Sequence, residues 1–320
     1  MFGNILPYAS ENFQIFMNNN LSPSTTNGYG AISYDEYIWN KPSGIKMVNI
    51  YCIGGGGAGG LGAAGANGTA RGGGGGGGSG AIFTVTYPAK ILPNTLLVAP
   101  SEGAVPTTIR NGGAFGTNNT GVYMDDGSTL VALAKTGGNG GDASGTTAGA
   151  QGAGGQSTQL DTDISFARFG NYRSQIGLGG GAGGAGAAAN AGGGFTVLAT
   201  FCLTGGGGGG SATAANSGAN GGAIVAHASG LYPGVAGGIY SPSPGVVGDG
   251  NDGYTMFAPF VSVGGTGGAG GTTSTVGGIG GNGGIGSGGG GSGGGNTQFG
   301  GGNYAWGGNG GPGMVIISCW

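Results

Sequence analysis

Apolar side chains are gathered into a few short runs, and long tracts almost without side chains separate them. Residues 45–53, Ile-Lys-Met-Val-Asn-Ile-Tyr-Cys-Ile, read as a strand that stops at glycine. Ala81 to Tyr87 alternates apolar with polar positions and predicts a second strand, half-buried in a sheet. Asn94 to Ala99 and Thr129 to Ala134 read the same way. Met314 to Trp320 is almost continuously apolar, which predicts a strand covered on both faces. The first and last of these strands are expected to pair. That pairing would bring Cys52 and Cys319 together as reduced, packed thiols.

Between the strands lie glycine blocks at 54–80, 137–157, 177–194, 204–222 and 263–313. Excursions at 158–176, 195–203 and 223–262 interrupt them. The blocks repeat a composition rather than a fixed period. Residues 1–38 are a different material, with aromatic residues Phe2, Phe13, Phe16, Tyr29 and Tyr34 set among Asn and Ser. They read as an N-terminal attachment arm that docks on a partner or wraps its own domain. Residues 39–320 read as one glycine-rich domain, which should stay folded when the arm is removed.

Composition narrows the classes. Of 320 residues, 92 are glycine, against about 7% in an average chain. Eight Lys and Arg against 11 Asp and Glu leave a net charge of −3. So few cations cannot neutralise a phosphate backbone, so no nucleic-acid partner is expected. No apolar run approaches the ~18 residues of a membrane-spanning helix, so no membrane insertion is expected. Met1-Phe-Gly-Asn has neither the basic start nor the apolar stretch of a signal peptide. Collagen needs glycine at every third position and abundant proline, which Gly72–Gly78 and Gly205–Gly210 break. Flexible linkers remain the compositional alternative, but the filler between glycines is Ala, Ile, Val and Leu. Three cysteines without CxxC spacing argue against a disulfide framework and against zinc, and fit synthesis in a reducing cytoplasm.

Ordering glycine costs roughly 0.5–1 kcal/mol more than ordering alanine. Over the whole chain that handicap is of order 50–90 kcal/mol, so the missing side chain must be used. Extended threefold helices of polyglycine II use it: every N–H and C=O points outward, and bare backbones approach and bond on all sides. Interior helices would then be all glycine. Mixed stretches such as 177–186, and those of 263–300, would lie at the edge. The expected fold is therefore mostly irregular and all-β, with packed polyglycine II helices flanked by a small antiparallel sheet and almost no α-helix.

Three segments together carry a resemblance. They are Trp39-Asn-Lys-Pro-Ser-Gly-Ile45 running into Ile53-Gly-Gly-Gly-Gly, Gly78-Ser-Gly-Ala-Ile-Phe-Thr-Val-Thr-Tyr, and the closing Gly307-Gly-Asn-Gly-Gly-Pro-Gly-Met-Val-Ile-Ile-Ser. From about residue 36 to 320 the chain resembles the glycine-rich domain of bacteriophage tail-fibre and other virion proteins. Its glycine blocks are also similar to the polyglycine sandwich at the tip of T-even-like tail fibres. The resemblance implies a virion protein, made in the host cytoplasm and acting outside the cell. It also implies an oligomeric assembly whose tip loops touch a bacterial surface protein or glycan, the arm joining other virion or fibre subunits.

Candidate chemistry is thin. His227 sits alone among small residues, where it is expected at the surface or satisfied by neighbours. Asp125/Asp126, Asp161/Asp163 and Asp249/Asp252 are carboxylate pairs in turn-like contexts. Gly137-Gly-Asn-Gly-Gly-Asp142 fits the start of a calcium-binding nonapeptide, but occurs once where that motif needs a tandem. Asp249 and Asp252 could hold a cation through carboxylate and backbone oxygens, but a turn is the preferred reading. GxGxxG is uninformative at this glycine content, and GxxxxGK[ST] is absent. No enzyme activity, cofactor or metal is expected. Receptor-contact candidates are Phe166, Arg168, Phe169, Tyr172, Arg173, Tyr232, Tyr240, Tyr254, Phe257 and Phe260, because Tyr and Arg are favoured interface anchors. Capping of the glycine core is their alternative role. The functional readings are a receptor-binding adhesin, a purely structural virion or filament subunit, and, third, a surface-acting hydrolase.

Overall fold

The computed structural model describes residues 12–18, 36–106, 119–156, 169–196, 202–215, 217–226, 233–243, 247–257, 260–272, 275–296 and 305–320. The described residues are almost entirely strand and irregular backbone, with a 3-10 turn at Ala89–Ile91.

Two antiparallel sheets pack face to face. The larger runs in the order β1 (Phe13–Met17), β15 (Met314–Cys319), β3 (Met47–Ile53), β5 (Ile82–Pro88) and β9 (Asn171–Gln175). The smaller runs β2 (Tyr37–Asn40), β6 (Thr95–Ala99), β7 (Thr120–Met124) and β8 (Leu130–Ala134). Alternation decides which side chains face inward. Val48, Ile50 and Cys52 of β3 meet Phe83, Val85 and Tyr87 of β5, Val315 and Ile317 of β15, and Trp39, Leu96, Val98, Val122 and Val131 of the facing sheet. The Tyr87 hydroxyl, inside this core, donates to the Val131 carbonyl at 2.8 Å. The outer face of the larger sheet is covered near its glycine end by Leu203, Cys202, Phe260 and Ile285. The near-continuous apolar run of β15 is thus covered on both sides, as expected. Three two-residue or three-residue ribbons complete the strands: β4 (Ala64–Gly65) with β14 (Gly295–Asn296), β10 (Phe195–Thr196) with β11 (Ile224–Val225), and β12 (Thr255–Phe257) with β13 (Phe260–Ser262).

The register corrects the cysteine expectation. β3 and β15 do pair, but Cys52 lies opposite Val315 and Cys319 opposite Val48. Four residues of strand, about 13 Å at a strand's rise, separate the two thiols. Part of the arm also belongs to the sheet: β1 pairs with β15 from Phe13↔Ser318 to Met17↔Met314. Phe16 lies 5.6 Å from Tyr37, centroid to centroid, and the Tyr37 hydroxyl donates to the Met17 carbonyl at 2.9 Å. Phe2, Tyr29 and Tyr34 lie outside the described residues.

Strands continue directly into glycine tracts. β3 runs on into 54–63, and tract 71–81 leads into β5; the Gly54 amide still donates to Ala81. Beyond the sheet the bonding changes from two partners to six. Amides of Gly72, Gly75, Gly78 and Ala81 donate to Gly145, Gly141, Gly138 and Lys135. Those of Gly73, Gly76 and Ser79 donate to Gly184, Gly181 and Leu178, and those of Gly74, Gly77 and Gly80 to Ser292, Gly289 and Gly286. The carbonyls accept with the same period of three: from Ala63, Gly60, Gly57 and Gly54, from Gly149, Gly152 and Gly155, and from Ala212, Gly209 and Gly206. All these bonds measure 2.7–2.9 Å. Six segments therefore surround 71–81, in the bonding relations expected of polyglycine II packing.

Tracts 204–212, 263–272 and 286–295 have the same sixfold surroundings. Around these four, among the described residues, stand rim tracts 54–63, 135–143, 147–155, 177–186, 190–194, 218–223, 236–240, 248–253, 276–284 and 305–311. Tract 177–186 is at the rim, where its alanines placed it. Tracts 263–272 and 286–295 were expected at the edge and are interior. Their non-glycine residues fill gaps in the lattice. The buried Ser292 hydroxyl accepts from the Gly62 amide and donates to the Ala305 carbonyl, both at 2.7 Å. The buried Thr266 hydroxyl accepts from Asn251 at 2.7 Å and donates to Ala236 at 2.9 Å. Elsewhere only glycine fits: a Cβ on Gly75 would overlap the Ala150 carbonyl, and one on Gly290 the Thr266 carbonyl.

Candidate functional site

The lattice has two unlike ends. Strands enter it from the sandwich, and closing turns among the described residues lie at the opposite end. Adjacent antiparallel tracts are joined there through 64–70, 144–146 and 187–189. The Thr213 amide, donating to the Ser217 carbonyl at 2.8 Å, closes a further pair, and 241–243 begins the link from 236–240 to 248–253. The described tips of these turns are exposed and carry small or polar side chains: Asn67, Thr69, Ser144, Thr146, Ala187, Ala188 and Ala215. Turn chemistry explains the residues. Gly68 and Gly145 have φ of 80° and 54°, a region where side chains are disfavoured.

The aromatic candidates lie elsewhere. Phe169, Tyr172 and Arg173 are on and beside β9, the open edge of the larger sheet, and all three are exposed. Tyr172 stacks on Phe83, with centroids 6.3 Å apart and planes at 15°. Gly170 is required here, because a Cβ would press on the Tyr87 and Val85 side chains. Phe257 and Phe260 meet edge to face at 6.1 Å in the β12–β13 hairpin, and Phe260 packs over the sheet's outer face. Tyr254 packs against Ile224, Val261 and Val263, and its hydroxyl donates to the Pro233 carbonyl at 2.8 Å. The Tyr240 ring lies over Gly218. Phe166, Arg168, Tyr232 and His227 fall outside the described residues. The structure thus groups Phe169, Tyr172 and Arg173, separates them from Tyr240, and gives Tyr254 and Phe260 packing roles. Of these described residues only Tyr240 reaches the remote turns, at the base of the link that begins at 241 and over Gly218 beside the Thr213–Ser217 closure.

The carboxylates are structural in a way that turn reading missed. Asp126 does cap its own turn: it accepts from the Thr129 hydroxyl at 2.6 Å and from the Thr129 and Ser128 amides at 2.7 and 2.8 Å. The Thr129 bonds, with help from Ser128, hold its pKa down at about 2. Asp142 accepts from the Leu61 amide at 2.8 Å, and Asn139 from Ala58 at 3.0 Å, so this GGxGxD segment is a rim tract bonded to its neighbour. Asp249 and Asp252 accept from the Ile279 and Asn282 amides at 2.8 and 2.7 Å. Among the described residues no group of three His, Cys, Asp or Glu side chains is arranged to hold a metal ion. All three cysteines are free thiols. Burial pushes the Cys52 thiol and the Tyr51 phenol up, the latter beside Cys202.

One flank was not foreseen. Rim tracts 248–253, 276–284 and 305–311 lie side by side: the amides of Gly250 and Gly253 donate to Ile279 and Asn282, and those of Gly280 and Gly283 to Trp306 and Asn309. The threefold period turns Asp249 and Asp252, Ile279 and Asn282, and Trp306 and Asn309 outward. The repeating Gly-Gly-x spacing, as in Val276-Gly-Gly-Ile-Gly-Gly-Asn-Gly-Gly-Ile285, is the signal that marks such outward rows.

The sequence profile of the glycine-rich domain family matches residues 32–257. The chain belongs to that family. The match takes in the sandwich entry and the tracts as far as 248–253; the interior tracts 263–272 and 286–295 lie beyond it. No curated protein matches the chain.

Proposed function

We propose that the protein is a non-enzymatic virion component, a tail-fibre or fibre-tip adhesin that presents loops to a bacterial surface. One observation supports this most: a cross-bonded lattice gathers its closing turns at the end remote from the sandwich. Turns whose flanking tracts are cross-bonded into a lattice lose little order when they bind, so they are pre-organised. The contact surface in this reading is the remote turn set rather than the aromatic excursions. Attachment to other virion or fibre subunits falls to the sandwich side and to the residues around β1. The particle would be assembled in the host cytoplasm and act outside the cell. A second reading, a structural virion or filament subunit, is favoured by Ile38 and Trp320, which are 68% and 60% exposed on the sandwich. Such apolar surface suits a subunit contact.

Adsorption tests the reading. Purified chain should compete with particles carrying it for binding to susceptible cells. Asn67→Lys with Ala187→Lys should abolish competition without lowering the melting temperature. Failure of the native chain to bind cells would reject the adhesin and leave the structural subunit.

A further inference from the structure

We infer that the flank formed by tracts 248–253, 276–284 and 305–311 is a binding platform for a neutral oligosaccharide. Six outward side chains make a grid of two levels on three adjacent tracts. One level reads Asp249, Ile279, Trp306; the other, one threefold turn along, reads Asp252, Asn282, Asn309. The lattice fixes the grid from beneath. Asp249 Oδ1 accepts from the Ile279 amide at 2.8 Å. Asp252 Oδ1 accepts from the Asn282 amide at 2.7 Å and from its Nδ2 at 3.0 Å. Asn282 Oδ1 accepts from the Asn309 amide at 2.9 Å. Each carboxylate is thereby held by one oxygen, and its other oxygen is left to an incoming donor.

The chemistry selects the ligand. A pyranose has an apolar C–H face and a rim of hydroxyls. Trp306 and Ile279, 44% and 47% exposed, offer a flat apolar surface for the face. Asp249, Asp252 and the Asn309 amide offer acceptors and donors for the rim, the carboxylates making the stronger, charge-assisted bonds. Two carboxylates and no cation in the grid select against acidic sugars. The repeat along the tracts, about 9 Å for three residues, lets one chain of sugars engage both levels. This surface lies on the flank of the lattice beside its remote end, and it shares no side chain with the turn tips Asn67 and Ala187.

Binding of the full chain to immobilised short neutral oligosaccharides of hexose and N-acetylhexosamine, read by biolayer interferometry, tests the assignment. At least one should bind. Trp306→Ala should weaken it more than about tenfold, Trp306→Phe should restore most of the loss, and Asp252→Asn should weaken it several-fold, with melting temperatures unchanged. No neutral sugar bound, binding of acidic sugars alone, or equal binding by Trp306→Ala would each overturn it. Asn67→Lys with Ala187→Lys should keep sugar binding. Sugar binding without cell adsorption rejects only the adhesin reading, and adsorption without sugar binding rejects only this platform.

Discussion

The Gly77 amide donates to the Gly289 carbonyl at 2.8 Å, while the Gly77 carbonyl accepts from Gly206 at the same distance. One residue thereby ties together three distant parts of the chain. Repeated along four interior tracts, this exchange replaces the side-chain core of an ordinary domain. The cooperative unit is then the lattice together with the sandwich that feeds it.

Hydroxyls that fill lattice gaps should matter as much as glycines. Ser292→Ala leaves the buried Gly62 amide without its acceptor and the Ala305 carbonyl without its donor. A buried unsatisfied polar group costs about 1–3 kcal/mol. The variant should melt several degrees lower in calorimetry; unchanged melting would mean that Gly62 has another partner.

β1 covers the β15 edge, and Trp39, at the boundary assigned to the arm, is 1% exposed in the core. Deleting residues 1–18 should therefore bare a long apolar edge strand, a template for self-pairing. Concentration-dependent association in light scattering is the expected result. A monodisperse truncated chain would show that β15 needs no cover and that the arm is separable.

Much of the sandwich was legible because alternation in Ala81–Tyr87 and the apolar run of β15 are strong local signals. β7 was missed because Gly121 interrupts it, and β9 because Asn-Tyr-Arg-Ser-Gln is a polar edge with no buried row. The existence of glycine packing followed from entropy alone. Which tracts are interior did not. Thr266 and Ala269 look like edge residues, yet both are fully buried, the Thr266 hydroxyl between the Asn251 amide and the Ala236 carbonyl of two neighbouring tracts. The exposed flank was hidden because Gly-Gly-x was read as composition instead of as a period.

The Asp126 turn has a pH signature. Its carboxyl is held near 2, below the ordinary 3.8. A depressed carboxylate pKa favours the folded state above the ordinary value, and that contribution disappears as pH falls from about 4 through about 2. Asp126→Asn should remove this part of the acid dependence of melting. Titration of Asp126 near its ordinary value, followed by carboxyl NMR, would mean that the Thr129 and Ser128 bonds do not form.

The cysteine register makes a chemical prediction. Cys52 is fully buried and its thiolate is disfavoured by burial, so it should resist alkylation in the native state. Oxidation should give no Cys52–Cys319 disulfide, because a disulfide needs Cα atoms within about 7 Å. Such a bridge, detected by peptide mapping, would contradict the pairing of β3 with β15.

The central claim is that bare main chains, bonded on six sides, are the core. Paired alanine substitutions test it most directly. Gly290 is interior, and an added Cβ would overlap the Thr266 carbonyl; Gly179 is on the rim, where the nearest atom to an added Cβ, the Gly152 oxygen, is 3.2 Å away. Gly290→Ala should abolish folding or lower the melting temperature by roughly 10 °C, as overpacking of several kcal/mol implies, while Gly179→Ala melts close to the native chain. Equal melting of the two variants would contradict the account.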